Sequence, residues 1–355
     1  MLWGPRAGPG ATDIVPRVTG EQFISYAQNR EDVVLWRALG NVQNGRYVEI
    51  GANDPVQDSI TKAFYDRGWT GLVVEPDPVF AGRVRRARPL DHVVEAAVTS
   101  AGDTVTLHRA PGTGMSSLVD SVGVANAKRG ITVKDLEVRG ARLDVLVEEA
   151  GLAHTPVHFL MVDVEGAEAD VLASVDLRAW RPWVLVIEAT EPNSTRSTRD
   201  RWEPGVLAAG YTFCLFDGVS CFYVADEHAA TLREPLSYPA CALDHFIDRE
   251  VADLGRRLAE SEGHLRHWRS KALRAWGAGV GRAPTENAWL LERSQLLQRV
   301  NELTQRTDKQ AERIKVLRRK LAHAERRSVA EAPGRQGGSA SPLAKTARSL
   351  LGRSR

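Results

Sequence analysis

Three carboxylates carry the strongest chemical signal in the chain: Asp163, Glu165 and Glu188. Asp163 and Glu165 follow the apolar run Val157-His-Phe-Leu-Met-Val, and a strand continued through them presents both side chains on one side of the backbone. Glu188 closes a second apolar run, Trp183 to Ile187. Like charges gathered where a strand leaves a sheet are costly unless donors or a cation face them, which favours a functional cleft. A carboxylate there can take the proton of a hydroxyl during group transfer, so all three are candidate catalytic residues. The same three could hold Mg2+, which would acidify a sugar hydroxyl, but the idea rests on them alone and no metal-ligand set is assigned. His158, inside the apolar run, reads as a satisfied core residue.

A binding surface for the group donor must lie beside them. Tyr47-Val-Glu-Ile reads as a buried parallel strand that breaks at Gly51-Ala-Asn-Asp-Pro, with Gly51 marking a sharp turn at the strand's carboxyl end. At position 75, 24 residues after Gly51, the run Leu72-Val-Val ends in Glu75-Pro76. An acidic side chain about 20 residues after the glycine turn is the arrangement that binds both hydroxyls of an adenosine ribose. Val93 to Val98 reads as a third strand whose small residues, Ala97 among them, leave room for a flat ring. A nicotinamide dinucleotide needs a Gly-x-Gly-x-x-Gly cradle for its diphosphate, and here Asn53 and Val56 stand where the second and third glycines belong.

The elements that must position these residues alternate along the chain. A helix is expected from about Asn29 to Leu39, with Asn29 as its cap and Gly40 as its end. Tyr26, Gln28, Glu31 and Asp32 at its start either serve the cap or reach the cofactor pocket. A helix over 58–67, capped by Asp58 or Ser59, would aim its amino terminus at the Gly51 loop. Helices over 77–87 and 143–150, a strand at 105–108 and a Gly- and Ser-rich connector at 112–118 follow. Strands near 211–216 and 220–224, joined by Asp217-Gly218, close the α/β pattern with a hairpin.

The 355 residues can hold one large domain and an accessory piece. Lys plus Arg number 47 and Asp plus Glu 45, a near-balance that argues against a whole-chain nucleic-acid binder. Cys214, Cys221 and Cys241 lack both a disulfide framework and zinc spacing, so a reducing, cytoplasmic setting is expected. Residues 1–19 are rich in Gly and Pro with no continuous apolar core, which reads as a flexible arm and no transmembrane segment.

Taken together, Ser25-Tyr-Ala-Gln-Asn-Arg-Glu-Asp-Val-Val-Leu, Val48-Glu-Ile-Gly-Ala-Asn-Asp, Val74-Glu-Pro, Arg142-Leu-Asp-Val-Leu and Met161-Val-Asp-Val-Glu-Gly-Ala-Glu resemble the FkbM family of S-adenosylmethionine-dependent methyltransferases. The resemblance implies a Rossmann-like class I methyltransferase fold over 20–246, an α/β domain with a mostly parallel seven-stranded sheet and a C-terminal antiparallel hairpin. It implies transfer of a methyl group from S-adenosylmethionine to a hydroxyl of a small-molecule or glycan acceptor. It places Glu49, Gly51 and Asn53 around the methionine part of the cofactor, Glu75 on the ribose and Asp163 beside the sulfonium; Pro76 and Ala97, read from the strand ends, are further candidates for cofactor binding. Pro55 stands where related loops often carry another glycine. The competing reading is a scaffold that binds cofactor and acts through its C-terminal helices.

Those helices are expected over 247–328. Ile247, Val251, Leu254, Leu258, Ser261, Leu265, Trp268 and Ala272 form one heptad seam, and a second runs from Leu296 through Leu303, Thr307, Gln310 and Ile314 to Ala324. The second helix is too long to hide its stripe against an ordinary domain, so a homo-oligomer or a helical partner is expected. Residues 329–355 read as a basic disordered tail.

Overall fold

The computed structural model describes residues 22–192, 194–281 and 286–330. The arm expected over 1–19 and all but the first two residues of the expected tail lie outside the described residues. The chain divides into two compact units after Arg249.

In chain order the first unit contains β1 (Phe23–Ser25), α1 (Glu31–Leu39), β2 (Arg46–Ile50), α2 (Lys62–Tyr65), β3 (Thr70–Val74), α3 (Pro78–Ala87), β4 (His92–Val94), β5 (Ala97–Val98), β6 (Thr104–Arg109) and α4 (Asp120–Lys128). It continues with β7 (Lys134–Ala141), α5 (Leu143–Glu149), β8 (Phe159–Val162), α6 (Glu168–Ala173), β9 (Val184–Glu188), α7 (Glu203–Ala208), β10 (Tyr211–Phe216), β11 (Ser220–Ala225), α8 (Ala229–Leu232) and β12 (Phe246–Asp248). Seven strands form one sheet in the order β10-β11-β9-β8-β2-β3-β4. The pairs from β9 to β4 are parallel, and β11 joins antiparallel to both β9 and β10. This is a Rossmann-like α/β fold closed by the expected hairpin.

Strand periodicity sorts the core into two layers. Val48, Ile50, Leu72, Val74, Leu160 and Val162 pack with Leu146 of α5, Val171 of α6 and Val206 of α7. Tyr47, Val73, Phe159, Met161 and Val186 pack with Leu35 of α1, Phe64 of α2 and Val84 of α3 on the other face. His158 belongs to this packing: its Nδ1 accepts from the Arg46 amide at 3.0 Å and its ring lies against Trp69 and Trp183. The chain runs outward from β2 to β3 and β4, then returns to lay β8 on the other side of β2. That reversal opens a crevice at the strands' carboxyl ends.

Several local expectations are corrected. Asn29 does not cap α1, which starts at Glu31 behind a left-handed Arg30; the Asn29 amide side chain donates to the Asp217 carbonyl instead. The helix expected over 58–67 shrinks to one turn at Lys62–Tyr65, with Asp58 left-handed and outside the helix. The strand expected over 93–98 is two strands. Glu95 turns out to solvent onto Arg85, and β5 leaves the main sheet to pair with β7 in a separate sheet ordered β5-β7-β6.

The second unit contains α9 (Arg249–Gly281) and α10 (Glu286–Ala330). Ile247, expected to open the first seam, instead lies in β12 opposite Ile24 of β1. The two seams meet each other: Ser261 Oγ and Thr307 Oγ1 are 3.0 Å apart, and Leu254, Leu296, Leu303 and Ile314 are buried. Within this unit α9 and α10 thus cover part of each other's stripe. No helix among the described residues is long and apolar enough to cross a membrane.

Candidate functional site

The crevice at the ends of β2, β3 and β8 opens into a cavity lined by Ile50, Gly51, Val74, Glu75 and Asp163. Gly51 begins its floor. Its φ is +86°, and a Cβ there would lie 1.8 Å from the Asp163 carbonyl oxygen, so only glycine lets the β2 and β8 ends approach. The Asn53 Oδ1 is buried without a hydrogen-bond partner, and a Cβ on Gly114 would come within 2.7 Å of the Asn53 Nδ2.

Glu75 follows the last residue of β3 and lines the same cavity. One carboxyl oxygen accepts from the Asn53 amide at 2.7 Å and the other from the Asp77 amide at 2.8 Å. Each oxygen keeps a second lone pair for a ligand hydroxyl. Burial raises its pKa to about 7 against those stabilising amides. Pro76, Phe80 and Ala97 supply an apolar wall beside it.

Asp163 and Glu165 line the other side. The strand ends at Val162, and Glu165 sits at φ 55° in the left-handed region, so strand alternation does not bring the two carboxylates together; a turn does. Glu168 holds that turn, accepting from the Gly166 amide at 2.9 Å. Burial raises Asp163, and burial first, then the Asp163 charge, pushes Glu188 up to about 11, so the protonated form of Glu188 is favoured at neutral pH. Glu188 lies behind Asp163 and not on the cavity wall, with its Oε2 buried and unpartnered. Burial first, then the Asp163 charge, raises Glu165 to about 8.

Glu49 is not part of the wall. Its carboxylate accepts from Thr61 Oγ1 at 2.6 Å and from Arg88 at 3.1 Å, on the sheet face opposite Val48 and Ile50. None of Tyr26, Gln28, Glu31 and Asp32 lines the cavity either. Asp32 accepts from Ser25 Oγ and the Tyr26 amide, both at 2.7 Å, and Glu31 from the Asn29 amide at 3.0 Å, so both carboxylates organise the turn before α1.

The Gly- and Ser-rich segment, mainly a connector by composition, forms a wall of the cavity through Thr113, Gly114, Ser116, Ser117 and Leu118. Ser117 Oγ donates to the Glu165 carbonyl at 2.8 Å. Arg109, at the end of β6, clasps buried Asp77 through two nitrogens at 2.6 and 3.1 Å and so anchors the base of this loop. No group of three or more His, Cys, Asp or Glu among the described residues is arranged to hold a metal ion.

Residues 49–219 match the model of the methyltransferase FkbM domain. A TehB-like SAM-dependent methyltransferase from Corynebacterium glutamicum aligns at 10% identity and TM-score 0.31, covering 55% of this chain and 86% of its own. Precorrin-6y C5,15-methyltransferase from Geobacter metallireducens aligns at 13% and 0.31, covering 57% and 94%. The B. subtilis M1A22 tRNA methyltransferase TrmK aligns at 13% and 0.29, covering 82% and 99%. No curated protein matches the sequence. The span that matches contains Gly51, Glu75 and Asp163, and through it this chain carries a methyltransferase domain of the FkbM family.

Proposed function

We propose that the domain transfers a methyl group from S-adenosylmethionine to a hydroxyl of a small-molecule or glycan acceptor. The observation that carries this reading is the single cavity that has Glu75 on one wall and Asp163 with Glu165 on another. The residues suit the cofactor: Glu75 retains free lone pairs for ribose hydroxyls, the unpartnered Asn53 Oδ1 suits the amino-acid end, and Pro76, Phe80 and Ala97 suit a flat ring. S-adenosylmethionine supplies an electrophilic methyl carbon on a positively charged sulfur.

Burial raises the pKa of Asp163, and a bound sulfonium would favour its carboxylate, the charge that would stabilise that cation in return. Glu165 reaches the same space with a pKa near neutrality, the range in which a general base is most effective. Glu165 would take the acceptor hydroxyl's proton as the oxygen accepts the methyl group that the bound cofactor would supply, the cofactor leaving as a neutral thioether. The turn at 163–166 and the loop at 113–118 fix the approach, and such positioning is worth up to about 7–11 kcal/mol of barrier.

The test is transfer of isotope-labelled methyl into nucleotide sugars, oligosaccharides and lipid-linked glycans, with mass spectrometry of the product. Label on an acceptor oxygen is expected. Label on nitrogen or carbon would refute the hydroxyl assignment, and undiminished cofactor binding by Glu75→Ala in calorimetry would refute the cofactor pocket.

A further inference from the structure

The helical hairpin ends in a surface that the methyl-transfer site does not use. Its two helices run antiparallel: counting 15 residues outward from the Ser261–Thr307 contact, 261 + 15 = 276 and 307 − 15 = 292, so Trp276 is level with Glu292. Near this end Leu273 is 63% exposed, Trp276 57% and Leu291 62%, and Leu290 and Leu297 are exposed beside them. These are five of the six exposed large apolar residues among the described residues of this unit; Val316 is the sixth. Leu273 and Trp276 lie one turn apart, off the seam that Ser261 and Leu254 occupy.

Positive charge predominates at the same end: between Glu262 and Glu286 the sequence holds Arg266, Arg269, Lys271, Arg274 and Arg282 and no acidic residue, and α10 adds Glu286, Glu292 and Arg293, whereas the start of α9 mixes Arg249, Arg256 and Arg257 with Glu250, Asp253, Glu260 and Glu262. Arg266, Arg269, Lys271 and Arg274 are exposed, and the Lys271 ammonium lies 4.8 Å from the Trp268 ring centroid.

We propose that this tip docks on an anionic membrane surface without crossing it. Basic side chains meet headgroup phosphates, exposed leucines enter the acyl boundary, and tryptophan sits at the interface, where its amphipathic ring is favoured. A second copy of the chain is the poorer occupant: the heptad seams are already joined to each other, and tip-to-tip association would bring two cationic ends together.

The full-length protein is sedimented with phosphatidylcholine vesicles with and without phosphatidylglycerol. Binding only to the anionic vesicles is expected, reduced at least about tenfold by Leu273→Ser/Trp276→Ser/Leu291→Ser and similarly by Arg269→Glu/Lys271→Glu/Arg274→Glu. Both variants change exposed positions outside the first unit, and cofactor binding in calorimetry confirms that this unit remains folded. A chain ending at Ala330 retains the binding. Equal binding to neutral vesicles, no binding to anionic ones, full binding by the triple serine variant, or loss of binding on truncation at Ala330 would each overturn the assignment.

Discussion

Glu165 concentrates the chemistry of the site in one side chain. Burial holds it protonated to about 8, so it becomes a base only as pH rises. The expected profile of kcat/KM for the free enzyme climbs through pH 8, and saturation with a cationic cofactor moves the limb lower by favouring the carboxylate. Glu165→Gln should lower kcat by about 10²–10⁴ and abolish that limb; a preserved limb would assign the base elsewhere. Glu75, Asp163 and Glu165 were legible because each follows an apolar strand, and strand ends are where α/β sheets gather ligands. Glu49 lies off the cavity wall, which its motif position could not show because it says nothing about which face of β2 the side chain takes, and its partner Arg88 is 39 residues away. Glu188 was found as a strand-end acid, but its position behind Asp163 depends on the β8–β9 pairing.

Arg88 shows how an element can be tied to the site from outside it. It ends α3 with a fully buried side chain that donates to Glu49, to Thr61 Oγ1 at 2.6 Å, to the Pro55 carbonyl at 2.8 Å and to Ser59 Oγ. The loop from Ala52 to Thr61 therefore has its backbone and hydroxyls pinned beneath Asn53. Arg88→Met leaves the Glu49 charge buried without its cation and should cost about 3–5 kcal/mol in denaturant unfolding. A further Glu49→Gln change should recover part of that loss, and additive effects would deny the coupling. Pattern legibility at this scale followed burial. The central strands announced themselves by apolar runs and the hairpin by Asp217-Gly218, whereas β7, with the half-exposed sequence Lys-Asp-Leu-Glu-Val-Arg-Gly-Ala, offered no comparable run. The seam residues of α9 and α10 were legible from their heptads, but a stripe does not reveal whether its mate lies in another chain or in the next helix.

Across the whole molecule, the acidic groups set a distinctive pH dependence. Burial raises Glu75 and Glu168 to about 7 and Glu31 and Glu165 to about 8, from an ordinary value of 4.5. Between about 4.5 and 8 the folded state therefore holds more protons than the unfolded chain, and stability falls as pH rises across that window. Glu227 acts oppositely: its hydrogen bonds to Arg181 hold it at about 2, a stabilisation lost as pH drops below 4.5. Thermal unfolding should accordingly peak near pH 5 and decline toward pH 8. A midpoint that rises over that interval would contradict the burial of these carboxyls.

Phe23 of β1 lies opposite Phe246 of β12, and the two short strands run parallel. The described chain thus joins the catalytic domain within a few residues of where it leaves for the helical hairpin. Such a domain behaves as a cassette: its ends can be spliced into a circular permutant or grafted into a host loop with short connectors, leaving the seven-stranded sheet uncut.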